Sequence, residues 1–89
     1  MRKYTVRYKR RVQKMLSKMD NQVQIRIKNW INKNLEGCEN PRVHGHALEG
    51  DLRTFWRYRV GDYRIVADIQ DDQILILIVE IDKRNDIYK

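Results

Sequence analysis

The chain has 89 residues, the length of one small domain, and 19 Lys and Arg against 12 Asp and Glu give it a net charge of +7. A domain this short buries only about 60–65% of its unfolded surface, and its one cysteine, Cys38, excludes an intramolecular disulfide and fits a reducing cytoplasm. The N-terminus has no apolar run of signal length, the longest apolar stretch (Ile74 to Val79) is far too short to span a bilayer, and the basic balance points to a polyanionic partner rather than a membrane.

The chain reads as a single domain over residues 1–89, without repeats or linkers. Lys3 to Tyr8 predicts a short strand, because Tyr4, Val6 and Tyr8 alternate with Thr5 and Arg7. A first helix follows, with Tyr8, Val12, Met15, Leu16 and Met19 at helical spacing and Lys9, Arg10, Arg11, Lys14 and Lys18 on a basic outer face. Asp20 or Asn21 caps a second helix whose apolar stripe is Val23, Ile27, Trp30 and Ile31, extending to Leu35. Gly37 ends it. The short connection predicts an antiparallel helical hairpin. Cys38 to Arg53, with two internal glycines and the only proline, reads as a surface loop.

Three strands are predicted to close the chain: Thr54 to Val60, Asp62 to Gln70, and Gln73 to Asp82. Gly61-Asp62 suits a two-residue turn, which pairs Val60 with Tyr63, Arg59 with Arg64, Tyr58 with Ile65, and Trp56 with Ala67. A second tight turn at Asp71-Asp72 would pair Ile69 with Ile74, Ala67 with Ile76, and Ile65 with Ile78. The order β-α-α-β-β-β predicts an α+β fold: a small, mainly antiparallel four-stranded sheet with two helices covering one face. Trp56, Tyr58, Ile65, Ala67, Ile76 and Ile78 form the covered face. Arg57, Arg59 and Arg64 fall on the open one. Arginines are common on solvated sheets, but two placed directly opposite each other repel. That arrangement points to an anion between them, held by guanidinium forks.

Arg84 and Tyr88 follow the last strand. Arg84 can reach the arginine face, and Tyr88 offers a surface for a stacked base or a hydroxyl for a phosphate. A frayed terminus is the plainer reading of both. His44 and His46 read most simply as loop histidines, although a histidine beside a phosphate can act as a general acid or base. There is no HExxH, CxxC or P-loop, and one thiol with two loop histidines is too few ligands for zinc, so neither a metal nor a cofactor is expected. Asp71 and Asp72 read as turn formers.

The run LEGDLRTFWRYRVGDYRIV, with the Arg-x-x-x-Tyr ending at Arg84 and Tyr88, resembles the RelE-type toxins of the RelE/ParE superfamily of bacterial toxin–antitoxin systems. The resemblance covers the whole chain in outline and the C-terminal half in detail. It implies a microbial-ribonuclease-like fold and a toxin of a type II system. Such a toxin is a metal-independent, ribosome-dependent endoribonuclease (mRNA interferase). It cuts mRNA in the ribosomal A site by attack of the message's own 2′-hydroxyl, which inhibits translation. It also implies a cognate RelB-like antitoxin. Arg64 matches the arginine that contacts the scissile phosphate, Arg84 one that stabilises transition-state charge, and Tyr88 a tyrosine that stacks on or orients substrate. Arg57 and Arg59 stand where the best-studied members have lysines. An arginine stays protonated, so these two are RNA-binding clamps rather than bases. Two other functions share these features: a ParE-like inhibitor of DNA gyrase, and a non-catalytic RNA- or ribosome-binding module.

Overall fold

Gly61 adopts φ +60 at the turn of the first C-terminal hairpin, a conformation that glycine reaches without steric cost. The strands on either side pair as the alternation predicts. In the computed structural model, which describes residues 2–48 and 55–83, the elements are β1 (Thr5–Tyr8), α1 (Arg10–Ser17), α2 (Asn21–Asn34), β2 (His46–Ala47), β3 (Phe55–Val60), β4 (Tyr63–Gln70) and β5 (Leu75–Lys83). The strands form one sheet in the order β1-β5-β4-β3-β2. β1 runs parallel to β5, and the remaining neighbours are antiparallel.

The α+β class, the helices over one face and the mainly antiparallel sheet are as expected; the strand number is not. The region read as a loop contributes a two-residue edge strand, β2, paired with β3 through His46–Arg57 and Ala47–Trp56. So short a strand leaves no alternation to read in the sequence. Tyr8 belongs to β1 rather than to the first helix.

A second correction concerns the β4–β5 turn. It is a 3-10 turn over Asp71–Gln73 closed by Ile74 in the left-handed region, φ 52, not a two-residue loop at Asp71-Asp72. The register therefore slides by two residues: Ile69 pairs with Ile76 and Ala67 with Ile78. A slide of two preserves the face of each side chain, whereas a slide of one would exchange the faces. A bulge then intervenes, because Val66 pairs with Glu80 while Ala67 pairs with Ile78, leaving Val79 as the extra residue. Beyond it Ile65 meets Ile81, and Ile81 is fully buried.

The covered face holds the core. Tyr58, Ile65, Ala67, Ile69, Ile76, Ile78 and Ile81 meet Val12 and Leu16 of α1 and Ile27 and Ile31 of α2 in one buried cluster. Trp56, Val6 and Tyr8 are half-buried against it. α1 lies on β5 and α2 on β3. Asp20 caps α2 as expected, its carboxylate accepting from the Gln22 N–H at 3.2 Å. Past the helix, Gly37 turns the chain at φ +78 and donates to the Tyr4 carbonyl at 2.8 Å, while Tyr4 N–H donates to the Cys38 carbonyl. These bonds tie the exit of α2 to the start of β1. Among the described residues no helix is long and apolar enough to cross a membrane.

Candidate functional site

With both helices on one side, no element among the described residues covers the other side of β3, β4 and β5. Arg59 and Arg64 stand directly opposite each other there, as the alternation predicts, and Arg57 stands opposite Val66. Among the described residues the ion pairs are Arg11–Glu80 and Arg42–Asp71; neither involves Arg57, Arg59 or Arg64. Among the described residues no ion pair offsets the repulsion between Arg59 and Arg64. Arg84 and Tyr88 lie outside the described residues.

The register also brings two carboxylates opposite residues of this face. Asp82 stands opposite Arg64 and Glu80 opposite Val66. Glu80 is engaged by Arg11, which reaches it beyond the last β1–β5 pair, Tyr8–Ile78. The signal for this arrangement was present: Ile74, Ile76 and Ile78 alternate, then Ile81 breaks the parity, as a bulge requires. Asp68 lies opposite Phe55 and accepts from Gln70 Nε2 at 3.1 Å.

Three shallow depressions among the described residues share Arg57, and two of them hold a further arginine. One, of about 360 Å³, has an apolar floor of Leu48, Phe55 and Val66 rimmed by Arg57, Arg64 and Asp82. The other, of about 380 Å³, lies between Arg57, Arg59, His44, His46 and Trp30. An apolar floor beside guanidinium groups suits a ligand that is flat and apolar in one part and anionic in another.

The loop that supplies His44 and His46 is fastened at several points. Tyr58 donates its hydroxyl hydrogen to the Pro41 carbonyl at 2.5 Å, and burial pushes that phenol far above its ordinary pKa. Trp56 Nε1 donates to the His44 carbonyl at 2.6 Å. Arg42 forks onto Asp71 at 3.1 and 2.9 Å, and Tyr4 donates to the same carboxylate at 2.6 Å. The Arg42 guanidinium, and then the Tyr4 hydroxyl, hold the Asp71 carboxyl below its usual range. Asp71 is therefore more than a turn former: it joins the β4–β5 turn to the loop and to Tyr4, the residue before β1. Gly45, at φ +79, lets the loop touch β3, since a Cβ there would lie 2.4 Å from the Arg57 carbonyl oxygen. Trp30, expected in the core, is half-buried and packs edge-on to His44 and tilted against Tyr58. Among the described residues no cluster of His, Cys, Asp and Glu is arranged to hold a metal.

This geometry has relatives. The family described as ParE toxin of type II toxin–antitoxin system, parDE, has a model that matches residues 6–88. Among solved structures, the RelBE2 toxin–antitoxin complex of Mycobacterium tuberculosis holds a chain 26% identical to this one, with a TM-score of 0.82 and 97% of each chain covered. The isolated RelE toxin of E. coli is 20% identical, with a TM-score of 0.78 over 96% of this chain and 88% of that one. A chain of the archaeal RelE–RelB complex of Pyrococcus horikoshii is 22% identical, with a TM-score of 0.69 over 94% of this chain and 98% of that one. The last two are likenesses of fold. No curated protein matches the chain.

Proposed function

The chain belongs to the ParE toxin family of type II toxin–antitoxin systems, within the RelE/ParE superfamily, and on that premise we propose that it is a ribosome-dependent endoribonuclease that cleaves mRNA in the ribosomal A site and so inhibits translation. The observation that carries this reading is the Arg59–Arg64 cross-strand pair with Arg57 beside it, on the face away from the helices and in no ion pair among the described residues.

The chemistry follows from those cations. Attack of a 2′-hydroxyl on the adjacent phosphorus builds negative charge on the non-bridging oxygens and on the leaving 5′-oxygen. Fixed guanidinium groups aimed at that charge lower the barrier, and holding the attacking oxygen in line with the leaving group lowers it further. Arg64 contacts the scissile phosphate. Arg57 and Arg59 clamp neighbouring phosphate oxygens with two-pronged hydrogen bonds. Arg84 adds transition-state charge stabilisation, and Tyr88 stacks on or orients the substrate. The apolar floor of Phe55 and Val66 accepts a nucleobase face beside the clamped phosphate. In this mechanism the ribosome orients the message.

The partner in the cell is a RelB-like antitoxin, as in the M. tuberculosis and P. horikoshii complexes. An acidic, partly disordered antitoxin would fold on this basic surface.

A second reading, inhibition of DNA gyrase without RNA cleavage, is favoured by the description of the matching family, which is ParE. Primer extension on translated mRNA separates the two. Cuts within ribosome-bound message support the nuclease. Loss of supercoiling activity in a gyrase assay, with intact message, supports the second reading.

A further inference from the structure

The proposed nuclease leaves one proton without an acceptor. The attacking 2′-hydroxyl must lose it, and three arginines cannot take it, because an arginine in a protein stays protonated. Of the carboxylates on the open face, Glu80 is already held by Arg11, Asp68 accepts from Gln70, and Asp82 lies on β5, two strands from Arg57 and Arg59.

β2 supplies a better group. Its pairing with β3 sets His46 opposite Arg57, so both project to the arginine face. Their Cβ atoms are then about 5 Å apart. His46 is exposed and lines the same depression as Arg57 and Arg59. His44, two residues earlier, packs its ring against Trp30 instead.

The backbone around His46 is built to hold it there. Gly45 is pressed onto β3 where no other residue fits. Trp56 Nε1 binds the carbonyl before it, and Leu48 N–H donates to the Phe55 carbonyl at 3.3 Å just after it. A short edge strand fastened on both sides fixes a side chain far better than a free loop does.

We infer that His46 is the general base of the cleavage, an assignment that rests on the nuclease reading above. The 2′-oxygen forms a bond to the adjacent phosphorus, and its proton passes to an unprotonated ring nitrogen of His46. The bond from phosphorus to the 5′-oxygen breaks, leaving a 2′,3′-cyclic phosphate. The departing 5′-oxygen takes a proton from water, and the hydroxide left behind takes the proton from the His46 imidazolium, which restores the base. Arg57 and Arg59 hold the phosphate against which the imidazole works.

The test is single-turnover cleavage of ribosome-bound mRNA by the wild-type chain, His46→Ala and His46→Gln, each checked for an unchanged thermal midpoint. Both variants should cleave about 10²-fold more slowly or worse, the usual contribution of a positioned base. Added imidazole should restore His46→Ala but not His46→Gln, whose side chain fills the space. Variants that cleave at the wild-type rate overturn the assignment, as does an Asp82→Asn variant that loses activity while they keep it. A loss in His46→Ala that imidazole leaves untouched also overturns it, because His46 then only shapes the site. If the wild-type chain leaves the message intact, the nuclease reading itself falls and takes this assignment with it.

Discussion

The same three strands have opposite chemistry on their two faces. Toward the helices, Tyr58, Ile65, Ala67, Ile76 and Ile78 are fully buried, with no solvent exposure. Toward solvent, the alternate residues of β3 and β4 include Arg57, Arg59 and Arg64, two of them in direct opposition. The difference shows how a chain of 89 residues holds both a core and a site. One parity of each strand supplies hydrophobic stabilisation. The other is left free to carry charge that weakens the fold and serves a ligand.

If the faces divide the work in this way, a core truncation should damage stability and spare chemistry. Ile78 is fully buried, at the meeting point of β1, β4 and β5. Ile78→Ala should destabilise by about 2–5 kcal/mol. The midpoint of urea unfolding should fall, while cleavage per folded molecule stays near wild type. An Ile78→Ala protein that unfolds normally but no longer cuts would join the two faces and break the comparison.

Arg64→Ala should do the converse. Cleavage should drop about 10²–10³-fold, equivalent to about 2.7–4 kcal/mol of transition-state stabilisation. The unfolding midpoint should hold or rise slightly, because the repulsion with Arg59 is gone. Growth inhibition in cells reads the first effect, and thermal melting of purified protein reads the second. A toxic Arg64→Ala variant would remove the arginine face from the mechanism.

The two hairpins differ in how far they could be read from sequence. In the β3–β4 hairpin, Gly61 at the turn set the register, and every predicted pair is present. In the β4–β5 hairpin, Asp71-Asp72 looked like an equivalent turn. The left-handed conformation of Ile74 was invisible, since a β-branched residue seldom adopts it and does so here only because its neighbours hold it. Its N–H donates to the Asp71 carbonyl, its carbonyl accepts from Thr5, and its side chain packs on the core. The arginine face survived this error because a two-residue slide keeps parity. Beyond Val79 the bulge changes parity and brings Glu80 opposite Val66 and Asp82 opposite Arg64, an arrangement that a two-residue turn does not include. β2 was hidden for another reason: its geometry depends on long-range contacts from Trp56, Tyr58 and Asp71 rather than on its own two residues.

Asp71 sits in the β4–β5 turn, bound to Arg42 and Tyr4, and removing its charge should have a smaller effect. Asp71→Asn should cost about 1 kcal/mol or less, as expected of an exposed two-pronged pair. Because the folded protein holds this carboxyl below its usual range, the unfolded chain takes up the proton first as pH falls. The stability added by Asp71 is thus complete above about pH 4 and vanishes as pH drops through the lower, folded value. Melting curves should show a gap between wild type and Asp71→Asn that is constant from neutral pH to about pH 5 and closes below about pH 4. A gap that persists in strong acid would assign the stabilisation to the shape of the turn instead of to the charge.

An effect of similar size tests what the open face offers its ligand. Arg59→Lys keeps the charge but loses the planar fork that binds two phosphate oxygens at once. If Arg59 only clamps phosphate, single-turnover cleavage should fall a few-fold, corresponding to about 1 kcal/mol, with the shape of the pH profile unchanged. A lysine differs from an arginine in one further respect, since it can give up its proton within the working range of an enzyme. Were this position suited to a base, Arg59→Lys would cleave faster than wild type and gain a new limb toward alkaline pH. The neighbours argue against that result. Arg59 faces Arg64 directly and shares its strand face with Arg57, so the position lies where anionic oxygens are gathered, while His46, opposite Arg57 on the next strand, is the group that can accept a proton. A faster Arg59→Lys variant with an alkaline limb would move the base from β2 to β3.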